Sequence, residues 1–115
     1  MTYVDGYLVP VKTADREKYT AFAKKWAPYF KNLGALTVVE SWGDDVPDGK
    51  VTSFPMAIKK ETDETVVFSW MTWPSKAARD AAWEKMQNDP NMADQEMPFD
   101  GKRMIFGGFE MIVEA

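Results

Sequence analysis

The run Thr65-Val66-Val67-Phe68-Ser69-Trp70-Met71-Thr72-Trp73 decides how this chain is built. It is β-branched and aromatic, carries neither charge nor glycine, and is closed by Pro74. In an extended strand Val66, Phe68 and Trp70 point one way, and Val67, Met71 and Trp73 the other. A half-solvated strand would alternate apolar with polar residues. This one is apolar on both faces, so it is expected to be a central strand covered on both sides.

Upstream of it, Glu61-Thr62-Asp63-Glu64 reads as a tight polar turn. The turn makes Phe54–Lys60 a hairpin partner of Thr65–Trp73, and Pro55 suits an edge position. Ala35–Trp42 (ALTVVESW) is a further strand, followed by a polar loop over Gly43–Thr52 with turn chemistry at Pro47-Asp48-Gly49. Ala35–Trp42 and Phe54–Lys60 are read as one edge strand interrupted by an insertion; a separate fifth strand is the alternative. Further back, Tyr19, Phe22, Ala23, Trp26, Phe30 and Leu33 recur at helical spacing and are expected to face the core. Asp15 and Glu17 sit in the first turn, Gly34 supplies the stop, and Pro28 predicts a kink. Thr2–Val11 is the first strand: Tyr3, Tyr7 and Val9 share a face with Asp5, while Val4 and Leu8 share the other with Gly6.

Downstream, Ser75 is the N-cap of a second helix that runs through Ala78, Ala81, Ala82, Lys85 and Met86 to about Asn88, where Asp89-Pro90 ends it. Asn91–Gly101 is a connecting loop and Arg103–Glu114 the last strand. The order β-α-β-β-α-β in one domain over residues 1–115 is best satisfied by an α+β, ferredoxin-like sandwich with an antiparallel sheet in the order 4-1-3-2. Both helices then cover one face. The other face still carries aromatic and aliphatic side chains, and a second copy packed sheet to sheet is the simplest cover, so a homodimer is expected.

Composition removes whole classes of chemistry. The chain has no cysteine and no histidine, which excludes a thiol nucleophile, a Ser-His-Asp triad and His- or Cys-ligated metal. The net charge of −4 leaves no basic stripe for nucleic acid. There is no apolar run of membrane-spanning length and no basic segment leading into an apolar leader, so a cytoplasmic protein without a membrane partner is expected. Asp44, Asp45 and Asp48 do not match a calcium-loop spacing, and no metal site is expected.

The run Met97-Pro98-Phe99-Asp100-Gly101-Lys102-Arg103-Met104-Ile105-Phe106-Gly107-Gly108-Phe109-Glu110 carries a resemblance, together with Tyr3-Val4-Asp5-Gly6, Asp45-Val46-Pro47-Asp48-Gly49-Lys50 and Phe68-Ser69-Trp70. Over essentially its whole length the chain resembles the YbaA-like family of uncharacterised bacterial proteins. The resemblance implies the dimeric α/β-barrel, ferredoxin-like superfamily, to whose small members Trp73-Pro74-Ser75-Lys76-Ala77-Ala78 is also similar. It carries over no catalytic residue. The haem-degrading branch of that superfamily usually relies on a histidine, which this chain lacks.

The sharpest local signal is carboxylates inside apolar strands: Asp5, Glu40 and Glu110. A charge buried there is either paired or shifted in pKa, and a shifted one in a cavity is a candidate general acid or base. Ordinary ion pairing, with Arg103 or Lys102, is the structural alternative. Lys102 and Arg103, with Lys50, are candidates for an anion pocket, although Asp48-Gly49 and Asp100-Gly101 before them are ordinary turn chemistry. Asp5-Gly6 and Gly107-Gly108 interrupt strands that are neighbours in a 4-1-3-2 sheet, so something approaches the backbone there, a ligand or a bulky side chain. Trp42, Trp70 and Trp73 are candidates for core, dimer contact or pocket wall. The sequence therefore leaves two functions open. One is a small-molecule-binding protein or cofactor-independent enzyme with its site between sheet and helices, using Asp5, Glu40 or Glu110 with Tyr7, Trp70, Arg103 and Lys102 as ligand contacts. The other is a non-catalytic dimeric interaction module.

Overall fold

The computed structural model describes residues 2–93 and 95–115. Four strands, β1 (Tyr3–Lys12), β2 (Thr37–Trp42), β3 (Glu64–Trp73) and β4 (Ile105–Glu110), form one antiparallel sheet in the order β2-β3-β1-β4. This is the 4-1-3-2 order read from the other edge. The long helices α1 (Arg16–Asn32) and α3 (Lys76–Gln87) complete the ferredoxin-like α+β plan. Two single-turn helices, α2 (Phe54–Ala57) and α4 (Pro90–Ala93), lie in the connections.

Most of the buried residues of β3 lie on its helix side. Val67, Met71 and Trp73 are all buried, with Trp73 fully so. Register sets Tyr3, Asp5, Tyr7 and Val9 of β1 opposite Trp73, Met71, Ser69 and Val67, so these rows share the helix face. Two groups of buried side chains form there. Val9, Val11, Tyr19 and Val67 pack at one end of the sheet; Ala35, Met71, Trp73 and Ala82 pack at the other. Ser75 caps α3 as expected, accepting from the Ala78 amide at 3.1 Å.

Three segments differ from expectation. Phe54–Lys60 is neither the continuation of an edge strand nor a fifth strand. The direct partner of β3 on that side is β2, Thr37 facing Thr72 and Trp42 facing Val67. Phe54–Ala57 instead forms α2, because Ser53 accepts from the Met56 amide at 3.1 Å and Pro55 in the first turn has no N–H to waste. The last strand is shorter than Arg103–Glu114: Gly101–Arg103 make a 3-10 turn stapled by Asp100, which accepts from the Lys102 amide, and β4 starts at Ile105. The Asn91–Gly101 connection begins inside α4, whose Pro90 occupies the first turn; Asp94 of that connection lies outside the described residues.

The second face of the sheet is only partly covered. Val66 and Pro10 are buried on it, and the α2 insertion reaches over it, with Phe54 set edge-on against Phe68 at 5.9 Å. Beyond that corner Phe68, Ile105 and Phe109 are exposed beside Trp70 around a shallow apolar concavity of about 620 Å³.

Candidate functional site

The site is a row of residues. Across the four strands Phe106, Tyr7, Ser69 and Glu40 lie side by side, each registered against the next. The rows on either side are mostly apolar and feed the two buried groups; this one places two hydroxyls and a carboxylate between them. Above it the helices stand off, leaving a cavity of about 360 Å³ that is lined by all four members of the row. The volume is on the scale of small-molecule sites.

The stand-off explains why the α1 stripe is core only in part: Tyr19, Ala23, Phe30 and Leu33 pack with the two buried groups, while the cavity keeps other members open. Of its apolar positions only Tyr19 is buried; Phe22, Trp26 and Phe30 are half-buried because they wall the cavity. From the other side α3 contributes Trp83 and Met86, and the segment leading to β4 adds Met97 and Phe99. Trp26 brings an unsatisfied group: its indole Nε1 is buried with no hydrogen-bond partner among the described residues. An unpaired buried donor costs about 1–3 kcal/mol, so it marks a place where the fold is not optimised for itself.

Glu40 is the chemically tuned member. Desolvation among the cavity walls pushes its carboxyl above the ordinary glutamate range, and the Tyr19 and Ser69 hydroxyls only partly oppose this by bonding the ionised form. The Tyr19 hydroxyl donates to its Oε1 at 2.7 Å. Glu40 is not sealed in; the side chain keeps access to water through the open side of the cavity. Burial likewise raises the phenols of Tyr7 and Tyr19, with Asp5 adding to the first and Glu40 to the second, so both stay protonated and available as donors. A carboxylate that ionises reluctantly, flanked by two neutral hydroxyl donors in an apolar box, can take a proton from a bound molecule and return it.

Asp5 is one row away and is used differently. Its carboxylate is 1% exposed and fully engaged. It accepts from the indoles of Trp73 at 2.9 Å and Trp83 at 3.2 Å, and from Arg79 Nε and Nη2 at 3.1 and 2.9 Å. Arg79 also stacks on the Trp83 ring, 4.1 Å from its centroid, and bonds Asp80 at 3.0 Å. The partner of Asp5 is thus Arg79, not Arg103 or Lys102. Of the strand glycines, Gly108 belongs to the same arrangement, whereas Gly6 and Gly107 face each other on the second face beside Phe109. Gly108 lies opposite Asp5, and a Cβ there would come within 2.7 Å of the Tyr3 ring and 3.0 Å of Arg79 Nη2. A bulky side chain, not a ligand, approaches that backbone.

The other candidates are dispersed. Arg103 holds Glu64 bidentately at 2.7 Å, bonds Asp100 and reaches the Lys59 carbonyl, clamping the pre-β4 turn to the start of β3 and to the insertion. Lys102 and Lys50 are exposed and do not line the cavity. Glu110 is exposed opposite Tyr3 at the far end of β4. Trp70 lies on the second face of the sheet, Trp73 is core, and Trp42 packs beside the Val9 group with Arg16 over its ring. The structure therefore brings Tyr7 and Glu40 together, sets Asp5 beside them, and leaves Glu110, Trp70, Arg103 and Lys102 elsewhere. Sequence reasoning missed Ser69, Tyr19 and Trp26 as cavity residues and Arg79 as the counter-ion; the signal for Arg79 was its spacing of four from Trp83 on α3.

Comparison with known proteins agrees with this geometry in fold and in resemblance. The chain is 56% identical over 116 aligned positions to the uncharacterised protein YbaA of Escherichia coli K12, with 99% of each chain covered. The uncharacterised YbaA of Shigella flexneri matches at the same identity and coverage. Among solved structures, a dimeric ferredoxin-like protein from an uncultured marine organism superposes with a TM-score of 0.63 over 99% of this chain and 98% of that one, at 10% identity, a likeness of fold alone. A family profile described as protein of unknown function (DUF1428) matches residues 2–101. The chain belongs to that family.

Proposed function

We propose that this protein binds a small, largely apolar molecule in the cavity between sheet and helices, and that Glu40 exchanges a proton with it without a cofactor. The observation that carries this reading is the Phe106–Tyr7–Ser69–Glu40 row: a carboxylate with a raised pKa and two hydroxyls facing an aromatic cavity that the fold leaves unfilled. Core residues of a fold with no guest would close such a space, since empty volume forfeits packing energy. Tyr7 and Tyr19 are the hydroxyl donors, and Trp26 and Trp83 the aromatic walls.

The working unit in this proposal is a homodimer joined through the second sheet face, where Phe68, Trp70, Ile105 and Phe109 would be buried. The fold neighbour described as dimeric supports it. No helix among the described residues is long and apolar enough to cross a membrane, and we place the dimer in the cytoplasm. The same apolar face favours a second reading, a non-catalytic dimeric interaction module, in which the cavity is incidental.

Native mass spectrometry of gently purified protein separates the two. The pocket reading expects a dimer that carries a defined extra mass, lost in Ser69→Phe, whose ring fills the cavity. A dimer with no retained mass and no mass gained on exposure to small aromatic compounds would leave the interaction module. A monomer would remove the sheet-face dimer.

A further inference from the structure

We propose that the guest of this cavity is an organic cation, an ammonium or comparable positive group on an apolar body, seated between Glu40 and the aromatic walls. The proposal rests on the cavity being a ligand site. Among the described residues that line it, Glu40 carries the one formal charge; neither lysine nor arginine lines it. The guanidinium of Arg79 stands behind the Trp83 ring and is already held by Asp5 and Asp80, so it does not offset Glu40. Tyr7, Tyr19, Phe22, Trp26, Trp83 and Phe106 present aromatic surfaces to the same space. Aromatic faces attract cations and repel anions, most strongly where water is displaced.

The three classes of guest are therefore not equivalent. An anion would meet Glu40 across a low-dielectric gap and the negative faces of the rings, with no cation to receive it. A neutral guest gains contact area but brings no counter-charge to Glu40. A cation supplies the counter-charge that the cavity lacks, and its apolar body fills the remaining volume. The Tyr19 hydroxyl occupies one carboxylate oxygen, at 2.7 Å on Oε1, and the cation takes the other.

Three probes of near-identical shape test this on the full-length protein near neutral pH: 2-phenylethylamine, 2-phenylethanol and phenylacetate, each titrated by calorimetry and by tryptophan fluorescence, with Trp26 and Trp83 as wall reporters. The expected result is that the amine binds about tenfold or more tighter than the alcohol, with phenylacetate weakest. Glu40→Gln, shown to be folded by its melting transition, is expected to lose most of the preference for amine over alcohol. Alcohol binding as tightly as amine in the wild type would overturn the cation proposal while leaving the cavity a binding site. Amine preference surviving intact in Glu40→Gln would overturn it as well. Failure of all three probes to bind would overturn both the proposal and the pocket reading beneath it.

Discussion

Asp5 and Glu40 look alike in the sequence: each is a lone carboxylate in an apolar strand. Both face the helices, in adjacent rows of one sheet. Their surroundings separate them. Asp5 is enclosed by two indole N–H groups and a bidentate guanidinium, and its ionised form is fully hydrogen-bonded. Glu40 has two hydroxyls and no cation; although the residue is exposed overall, partial desolvation of its carboxyl outweighs them. The difference teaches that a carboxylate in a strand is tied into the structure when the opposite helix brings an arginine, and is left available, for the chemistry proposed above, when the helix stands off and leaves a space.

The largest effect should come from dismantling the satisfied one. Asp5→Ala leaves Arg79 with only Asp80 and strands two indole donors; breaking a buried pair of this kind costs about 3–5 kcal/mol. Urea denaturation is expected to show a loss of that order, and a loss under 1 kcal/mol, by the same yardstick, would mean that the cluster is not the anchor described here. Gly108→Ala follows. Its Cβ would collide with Tyr3 and crowd Arg79, an overpacking penalty of about 1–3 kcal/mol, and the same assay reads it.

Carboxylates held by a cation are expected to show pH behaviour opposite to that of Glu40. The Arg103 guanidinium hydrogen-bonded to Glu64 holds that carboxyl below the usual glutamate range. Its contribution is therefore present above the unfolded value and is lost as pH falls through the lowered folded value. Asp63, held down by Lys12, and Asp100, held down by Arg103, act with the same sign. Glu40 has the reverse sign. With a raised folded value it favours the folded state below the ordinary glutamate value, and that advantage is lost as pH rises through the raised one. The groups facing it are Ser69 on β3, Tyr7 on β1, Tyr19 on α1 and, one row off, the Asp5–Arg79 pair; the two phenols stay protonated throughout that interval. Melting temperature against pH should fall in acid in the wild type and fall less when Glu64 is replaced by glutamine.

The smallest effect on stability is expected at the chemical carboxylate. Glu40→Gln keeps an oxygen for the Tyr19 hydroxyl and removes a reluctant charge, so stability should hold within about 1 kcal/mol or rise, while guest binding changes. A variant that loses both stability and binding would merge the two carboxylates into one class.

Much of the fold was legible in the sequence because its signals are local and redundant. The uncharged, β-branched and aromatic Thr65–Trp73 run, the Ser75 cap and the helical spacing of Tyr19, Phe22, Trp26 and Phe30 each allow one element type, and the strand order followed from them. Phe54–Lys60 misled because its short apolar run, Phe54–Ile58, does not distinguish strand from helix by period. The capping pair Ser53 and Pro55 was the better clue. The candidate site was half legible. That Glu40 sits in an apolar strand is visible in the letters; that its row stays open, while the Asp5 row is closed by Arg79, depends on how far α1 and α3 stand from the sheet, and no single segment encodes that distance. Trp70 and Arg103 were natural candidates by residue type, yet strand parity sends Trp70 to the other face and Glu64 claims Arg103.

One measurement bears most directly on the claim that Glu40 is the tuned group and Asp5 the structural one. Side-chain carboxyl resonances can be followed by NMR as pH is varied, with Glu40→Gln to assign the signal. The account predicts that Glu40 titrates clearly above the ordinary glutamate range in the ligand-free protein, and that its midpoint moves down when a cationic guest is added. A Glu40 midpoint in the ordinary range, unmoved by any guest, would contradict it.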